Sequence, residues 1–221
     1  MIFLVPRLIG LGWDTWNVDA QRWMIRSDLF VKNLLDLNFA ETYQSYHPGV
    51  TVMWLSGFSK WLFYTAFEYA AHYSPKISSG FVYPEQFYLA AFFSKMPLVI
   101  AISILLTYSC IILTKIGSPK SLVIIFAILI SFEPYFLGVS RFMHLTGLET
   151  SLTFASVVSV LYAIAKGEFK YFFITGLLLG LGFATKSSAL VVFPFLIFLV
   201  FVYNLLENVL QQQYQMQYYF L

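Results

Sequence analysis

The chain has 221 residues, of which 59% are hydrophobic and 11% charged, and its formal net charge is +2. A soluble domain carries about 25% charged residues, so this composition excludes an ordinary soluble globular protein and indicates an all-α, polytopic membrane protein. The sequence contains no basic run that would indicate a nucleic-acid partner. The single cysteine, Cys110, excludes an internal disulfide and a cysteine-based metal site.

The two ends of the chain are predicted to be cut. Residues 1–12 are mostly apolar, but they include Pro6 and Arg7 and fall short of the roughly 20 residues that span a bilayer. We interpret them as a truncated first membrane helix and residues 207–221 as a truncated C-terminal segment. The chain is therefore expected to be a fragment of a longer protein.

Residues 13–90 are predicted to form an extracytoplasmic loop with two interfacial helices. In the first, Val18–Leu37, charged side chains follow one face and apolar side chains another, which is typical of a helix lying on a membrane. The second, from about Thr51 to Tyr73, is rich in Trp and Phe but is interrupted by Lys60 and Glu68.

Residues 91–206 are predicted to form a membrane helix bundle of about five spans. Four runs are long and nearly free of charge: Met96–Thr114, Ser121–Ser140, Leu145–Ala165 and Ser187–Leu206. A shorter run, Tyr171–Thr185, contains Gly176 and Gly180, whose spacing predicts close helix packing in lipid.

Lysines in the short loops predict the orientation. Lys115 and Lys120 flank one loop and Lys166 and Lys170 another, so both loops are expected on the cytoplasmic side. The long polar loop and the outer ends of the membrane helices then face outward, which places the titratable groups together on one side.

The first candidate site is Asp19 with Arg22 and Arg26. Their i, i+3 and i+7 spacing places one carboxylate and two guanidiniums on the same helical face. Arginines bind phosphate oxygens in a bidentate way, and a carboxylate can accept a proton. On spacing alone, a solvated helix with ordinary salt bridges is favoured over a phosphate site.

Further candidates lie in the outer turns. His47, before Pro48-Gly49, would be a ligand or proton donor, although a structural cap for the next helix is favoured. Glu133, Arg141, His144 and Glu149 lie near the outer ends of two membrane helices, where ionisable residues are costly and indicate function. The alternative is an ion pair of Arg141 with Glu133 or Glu149. Lys186 is either a phosphate ligand or a snorkelling lysine.

Four segments, in this order, resemble a known family: Val18–Arg26, Thr42–Thr51, Glu133–Leu145 and Thr185–Ser188. Their sequences are VDAQRWMIR, TYQSYHPGVT, EPYFLGVSRFMHL and TKSS. The series is similar to that of the protein-O-mannosyltransferase-like glycosyltransferases, family 39, of the GT-C fold, and most closely to the N-terminal part of their bacterial and archaeal members.

The resemblance implies a hexosyltransferase of the cell membrane, with its active site on the extracytoplasmic face. It would move a sugar from a polyprenyl-phosphate donor in the lipid to an unidentified acceptor, a protein or a glycolipid. Asp19 matches the acceptor-side aspartate of the family and is the implied catalytic residue; Glu149 is the second catalytic candidate. The implied substrate-binding residues are Arg22, Arg26, His47, Arg141, His144 and Lys186.

The chain departs from the family pattern at three points. Ala20 stands where the family has Glu, Thr146 stands where an Asp is frequent, and Glu133 replaces Asp before Pro134. Glu149, one turn after Thr146, is a candidate to compensate. These departures keep open a non-catalytic remnant. A transporter or flippase-like protein is the competing class, but it would need Glu133, Arg141 and Glu149 near the bilayer centre, whereas they lie near the outer helix ends. No cofactor is certain, and a divalent metal held by Asp19, His47 and Glu149 stays open.

The lysine asymmetry predicts which loops an impermeant reagent reaches. In a Cys110→Ala background, Ser45→Cys should react in intact cells with a membrane-impermeant maleimide, whereas Ser118→Cys should react only after permeabilisation. The opposite pattern, with Ser118→Cys labelled and Ser45→Cys protected in intact cells, would invert the predicted topology.

Overall fold

A computed structural model describes residues 1–14, 18–44, 48–73 and 84–219, with side chains described outside 67–73, 84–87 and 207–219. Within those ranges the chain is helical and contains no strand, which confirms the predicted all-α class. The α-helices are α1 Val5–Leu8, α2 Val18–Leu35, α3 Val50–Tyr73, α4 Pro84–Ile116, α5 Lys120–Phe132, α6 Pro134–Arg141, α7 Leu145–Lys166, α8 Lys170–Thr185 and α9 Val192–Tyr219; the 3₁₀ helices are Leu11–Trp13, Phe39–Thr42 and Ser187–Val191.

Among the described residues, three helical segments are long and apolar enough to cross a membrane: Tyr88–Ile116, Leu145–Lys166 and Ser187–Leu206. The α5–α6 pair is a fourth if its two parts form one broken span, and α8 is apolar but shorter. Helix α7 is the central element, because it packs against both α4 and α8 and has the most buried face of the three. Residues 1–13 form α1 and the first 3₁₀ turn, separated by Gly10 in a left-handed conformation.

The predicted span Ser121–Ser140 is not one straight helix. It bends by 60° between α5 and α6. Pro134 cannot donate a backbone hydrogen bond and clashes with the preceding turn. The Glu133 carboxylate then caps the new helix by accepting from the backbone N–H groups of Tyr135 and Phe136 at 3.1 and 2.5 Å. Glu133 is therefore occupied as a helix cap.

Helices α2 and α3 pack as a pair beside the bundle. The first begins at the predicted Val18 and ends at Leu35 in a Schellman motif, with Leu37 at φ 57°. Across the pair, Lys60 Nζ lies 2.5 Å from the Asp28 carboxylate. Apolar side chains from α2, α3, α4, α6 and α7 join one core, so the pair rests on the membrane bundle.

The small-residue spacing in α8 does not mark a helix contact within the described structure. A Cβ at Gly176 or Gly180 would meet nothing within 4 Å, whereas one at Gly182 would lie 3.4 Å from Thr153 Cγ2. Close packing instead occurs at Gly57, where a Cβ would lie 2.6 Å from Val31 Cγ2 and 2.7 Å from the Ser27 carbonyl oxygen. Gly57 is what lets α3 approach α2.

The two lysine-bearing turns lie at the same end of the bundle. Glu168 Oε2 is 2.7 Å from Lys170 Nζ. The hydrogen bond from Lys170 is the largest cause that lowers the pKa of Glu168, and the charge of Lys115 from the other turn adds to it. This end is the C-terminal end of α7, opposite the end where α7 begins at Leu145.

A carboxylate ties the N-terminal segment to the bundle. Asp14 Oδ1 accepts from Arg141 Nη2 at 2.6 Å and Nε at 3.2 Å, and Lys95 Nζ lies 3.8 Å from Asp14 Oδ2. The Lys95 side chain is 1% exposed, and those of Asp14 and Arg141 are 16% and 17% exposed. Arg141 Nη1 also donates to the Pro6 carbonyl at 2.8 Å, so this ion cluster joins residues 6–14 to α4 and α6.

Replacing Asp14 with Asn should destabilise the fold strongly. The amide keeps the shape but leaves the Arg141 and Lys95 cations without their shared carboxylate, and breaking a buried pair typically costs about 3 kcal/mol or more. We expect a lower melting temperature and a lower free energy of unfolding in mixed micelles. Asp36→Asn, on an exposed residue after α2, is the matched control and should change little. Equal stability of the two variants would contradict the structural role of Asp14.

Gly57→Ala should destabilise the α2–α3 pair, whereas Gly176→Ala should not. The new methyl group at position 57 meets backbone and side chain below 3 Å, and overpacking costs about 1–3 kcal/mol. At position 176 the methyl group meets nothing within 4 Å, so the helix gains about 0.5–1 kcal/mol from the better helix former. Thermal unfolding of the purified variants measures the expected decrease in stability at position 57 and the expected increase at position 176. A destabilised Gly176→Ala would contradict the packing at that position.

Candidate functional site

A polar pocket of about 220 Å³ lies where α2, the start of α7 and the end of α8 meet. It is lined by Asp19, Arg22, Trp23, Arg26, His144, Leu145 and Lys186. The site thus brings together five of the residues that the sequence singled out, and they come from three separate stretches of chain.

The first wall of the pocket is the N-terminal half of α2. Asp19 Oδ1 lies 3.7 Å from Arg22 Nη1, and both side chains are more than half exposed. Arg26 lies over the ring of Trp23, with its Cζ 4.8 Å from the ring centroid. The helical spacing predicted that Asp19, Arg22 and Arg26 share one face, but it did not predict the stacking of Arg26 on Trp23. The exposure of Asp19 and Arg22 leaves both side chains open to a ligand.

Trp23 is the buried side chain of this wall. It is 5% exposed, and the turn at Gly49 lies against its ring, so that a Cβ at Gly49 would be 2.1 Å from Trp23 Cζ3. Gly49 has φ 54°, a conformation that glycine adopts at little cost. The Pro48-Gly49 turn is therefore shaped by its contact with Trp23.

The second wall is the start of α7. His144 is the N-cap, and its Nδ1 accepts the backbone N–H of Thr146 at 3.1 Å. Burial and then the charge of Lys186 lower the pKa of His144, whereas Asp19 raises it. Because Nδ1 accepts, the neutral ring carries its hydrogen on Nε2, which makes His144 a hydrogen-bond donor in the pocket wall.

Lys186, directly after α8, forms the third wall. Its Nζ donates to Thr146 Oγ1 at 3.3 Å. The preceding residue, Thr185, accepts the backbone N–H of Gly49 at 3.0 Å and shares a 2.5 Å hydrogen bond with Thr51. The end of α8 therefore holds together the start of α3 and the start of α7.

The other predicted residues lie outside this lining. Glu149 accepts from Ser188 Oγ at 2.8 Å, and Arg141 pairs with Asp14 rather than with Glu133 or Glu149. His47 lies outside the described residues. Sequence reasoning missed Asp14 and Lys95. The available signal was a lysine inside α4, directly before the uncharged run Met96–Thr114, where a charge is costly without a partner.

Charge in the pocket lining is unbalanced. Three cations, Arg22, Arg26 and Lys186, face one carboxylate, Asp19. Among the residues that the structure describes, Arg26 and Lys186 make no ion pair with an acidic group. No group of three or more His, Cys, Asp or Glu side chains converges as a metal site in that part of the chain. The lining is suited to an anion.

Comparisons with known proteins identify the family. The model of the dolichyl-phosphate-mannose-protein mannosyltransferase family matches residues 87–216, a stretch that includes His144 and Lys186 and follows Asp19, Arg22 and Arg26 in the chain. No curated protein and no solved structure matches the chain with significance. The matched stretch covers more than half of the chain, which therefore belongs to the dolichyl-phosphate-mannose-protein mannosyltransferase family, a family of membrane glycosyltransferases of the mannosyltransferase type.

Proposed function

We propose that this protein moves a sugar from a polyprenyl-phosphate donor to a hydroxyl or amine of an acceptor on the extracytoplasmic face of the membrane. The observation that carries the proposal is the pocket that combines one exposed carboxylate with three cations. Family membership supports the glycosyltransferase class. The donor, the side of the membrane and the residue roles are the proposed parts.

The cations are suited to the donor phosphate. Arg22 and Arg26 lie one turn apart on the same side of α2 and present planar guanidiniums, which can bind phosphate oxygens in a bidentate way. Lys186 approaches from the end of α8. Three cations from two elements can therefore surround a phosphate and stabilise the charge that grows on it as the sugar leaves.

Asp19 is suited to the acceptor side. The acceptor oxygen or nitrogen would attack the anomeric carbon of the sugar while the bond from that carbon to the phosphate oxygen breaks. The electron pair of that bond stays on the polyprenyl phosphate. The proton of the acceptor passes to the Asp19 carboxylate, which acts as the general base.

The position of the pocket supports the membrane side. The pocket lies at the first turn of α7, and the lysine-bearing turns lie at its other end. A 22-residue helix is about 33 Å long at 1.5 Å per residue, close to the hydrocarbon thickness of about 30 Å. With the lysines on the cytoplasmic side, as their asymmetry predicts, the pocket faces outward at the membrane surface, at the depth of a lipid phosphate.

Asp19→Asn should abolish transfer without unfolding the protein. The amide keeps the size of the carboxylate but cannot accept the proton, and base catalysis is typically worth about 10²–10⁴-fold. We expect a loss of that order in a radiolabelled polyprenyl-phosphate-sugar transfer assay, with expression and melting unchanged. Asp36→Asn, beyond the far end of α2, is the control and should keep full activity.

Replacement of the arginines should give a different kinetic pattern. Arg22→Ala and Arg26→Ala should weaken donor binding as well as turnover, because a phosphate contact exists before the transition state.

Near wild-type transfer by Asp19→Asn would rule out the proposed base. Loss of the same activity in the Asp36→Asn control would show that the assay reports stability instead of chemistry.

A further inference from the structure

The partner of the Lys186 ammonium is neutral. Its hydrogen bond goes to the hydroxyl of Thr146 at 3.3 Å. A hydroxyl orients a cation but does not cancel its charge. Thr146 lies in the first turn of α7, immediately after the His144 cap, and its backbone N–H is already bonded to the ring of His144. The position is therefore well defined beside the ammonium.

The nearest acidic residue on the same helix does not take over this role. Glu149 lies one turn after Thr146, but its carboxylate accepts the Ser188 hydroxyl at 2.8 Å. No ion pair joins Lys186 to an acidic side chain within the described ranges. Thr146 and Glu149 thus hold the Lys186–Ser188 segment from both ends, and the charge of Lys186 stays available to the pocket.

We propose that Thr146 determines the charge specificity of the pocket: its neutral side chain leaves Lys186 uncompensated and selects a phosphomonoester over a phosphodiester. The proposal rests on the proposed function, which places the phosphate beside Arg22, Arg26 and Lys186. With a neutral His144, the lining carries a net charge of +2 from three cations and one carboxylate.

The net charge of +2 in the lining matches the polyprenyl phosphate that is released better than it matches the sugar-linked donor. A sugar-linked polyprenyl phosphate is a diester with one negative charge, whereas a released phosphomonoester carries about −1.5 to −2 at neutral pH. An excess of cations therefore interacts more strongly with the phosphate as its ester bond to the sugar breaks. Interactions that strengthen toward the transition state are the ones that accelerate a reaction. Thr146 is a positioning residue in this scheme, since it acts through Lys186.

The test is a charge placed at position 146. Thr146→Asp puts a carboxylate beside the ammonium, and Thr146→Asn is the uncharged control of the same shape. An acidic group is well tolerated in the first turn of a helix, so Thr146→Asp should melt at or above the wild-type temperature and Thr146→Asn close to it. Binding of two probes, polyprenyl phosphate and a polyprenyl phosphodiester, would be measured for the full chain in detergent.

We expect the wild-type protein to bind the monoester at least about tenfold more tightly than the diester, the order expected for one additional charge a few ångströms away in a partly shielded site. Thr146→Asp should lose at least about tenfold in affinity for the monoester, so that its preference for the monoester over the diester becomes smaller. Thr146→Asn should keep affinities for both probes close to those of the wild-type protein. Lys186→Gln should show the same loss as Thr146→Asp, which keeps the test decisive if the aspartate variant folds poorly.

Three results would overturn the proposal. Equal losses in Thr146→Asp and Thr146→Asn would show that shape matters and charge does not. Equal affinity of the wild-type protein for the two probes would exclude selection by charge, and the donor assignment would be untouched. No binding of either probe to the wild-type protein would overturn the polyprenyl-phosphate donor of the proposed function as well.

Discussion

The carboxylate of Asp14 is the constraint on which the rest of the structure depends. A charge removed from water is stable only when it is paired and hydrogen-bonded, and here one carboxylate serves both Arg141 and the buried Lys95. Two helices that line the pocket begin shortly after residues of this ion cluster in the chain. Helix α2 begins at Val18, shortly after Asp14, and α7 begins at Leu145, shortly after Arg141. The ion cluster therefore lies close in the chain to the starts of the two helices that line the pocket at Asp19 and at the His144 cap.

The distribution of acidic partners explains why the pocket is cationic. Of the acidic residues on α2, Asp28 is taken by Lys60 on α3, on the face where the two helices pack. Glu133 is used as a helix cap and Glu149 by a serine hydroxyl. Among the described residues, this leaves Asp19 as the one carboxylate lining the pocket against three cations. Structural pairing elsewhere thus leaves an excess of cations in the pocket lining, which suits an anion.

The fold brings the stretch that matches the family together with α2 at the pocket. The matched stretch, residues 87–216, contains the start of α7 and the end of α8 but not α2. Helix α2 reaches the same pocket because Gly49 lies on Trp23 and its N–H donates to the end of α8. Helix α2, which lies outside the matched stretch, therefore lines the same pocket as the matched helices.

Local features of the site follow from the sequence alone. Hydropathy identifies the apolar helices, and the i, i+3 and i+7 spacing places Asp19, Arg22 and Arg26 on one face, since helix geometry depends only on neighbours in the chain. Long-range partners were decided by the tertiary structure. The sequence left open an ion pair of Arg141 with Glu133 or Glu149, but Arg141 pairs with Asp14. The contact of Lys186 with Thr146 had no signal in the sequence. Hydrophobic periodicity tells which side of a helix is buried, but which charged group lies opposite depends on how the helices cross, and that is set by packing of the whole bundle.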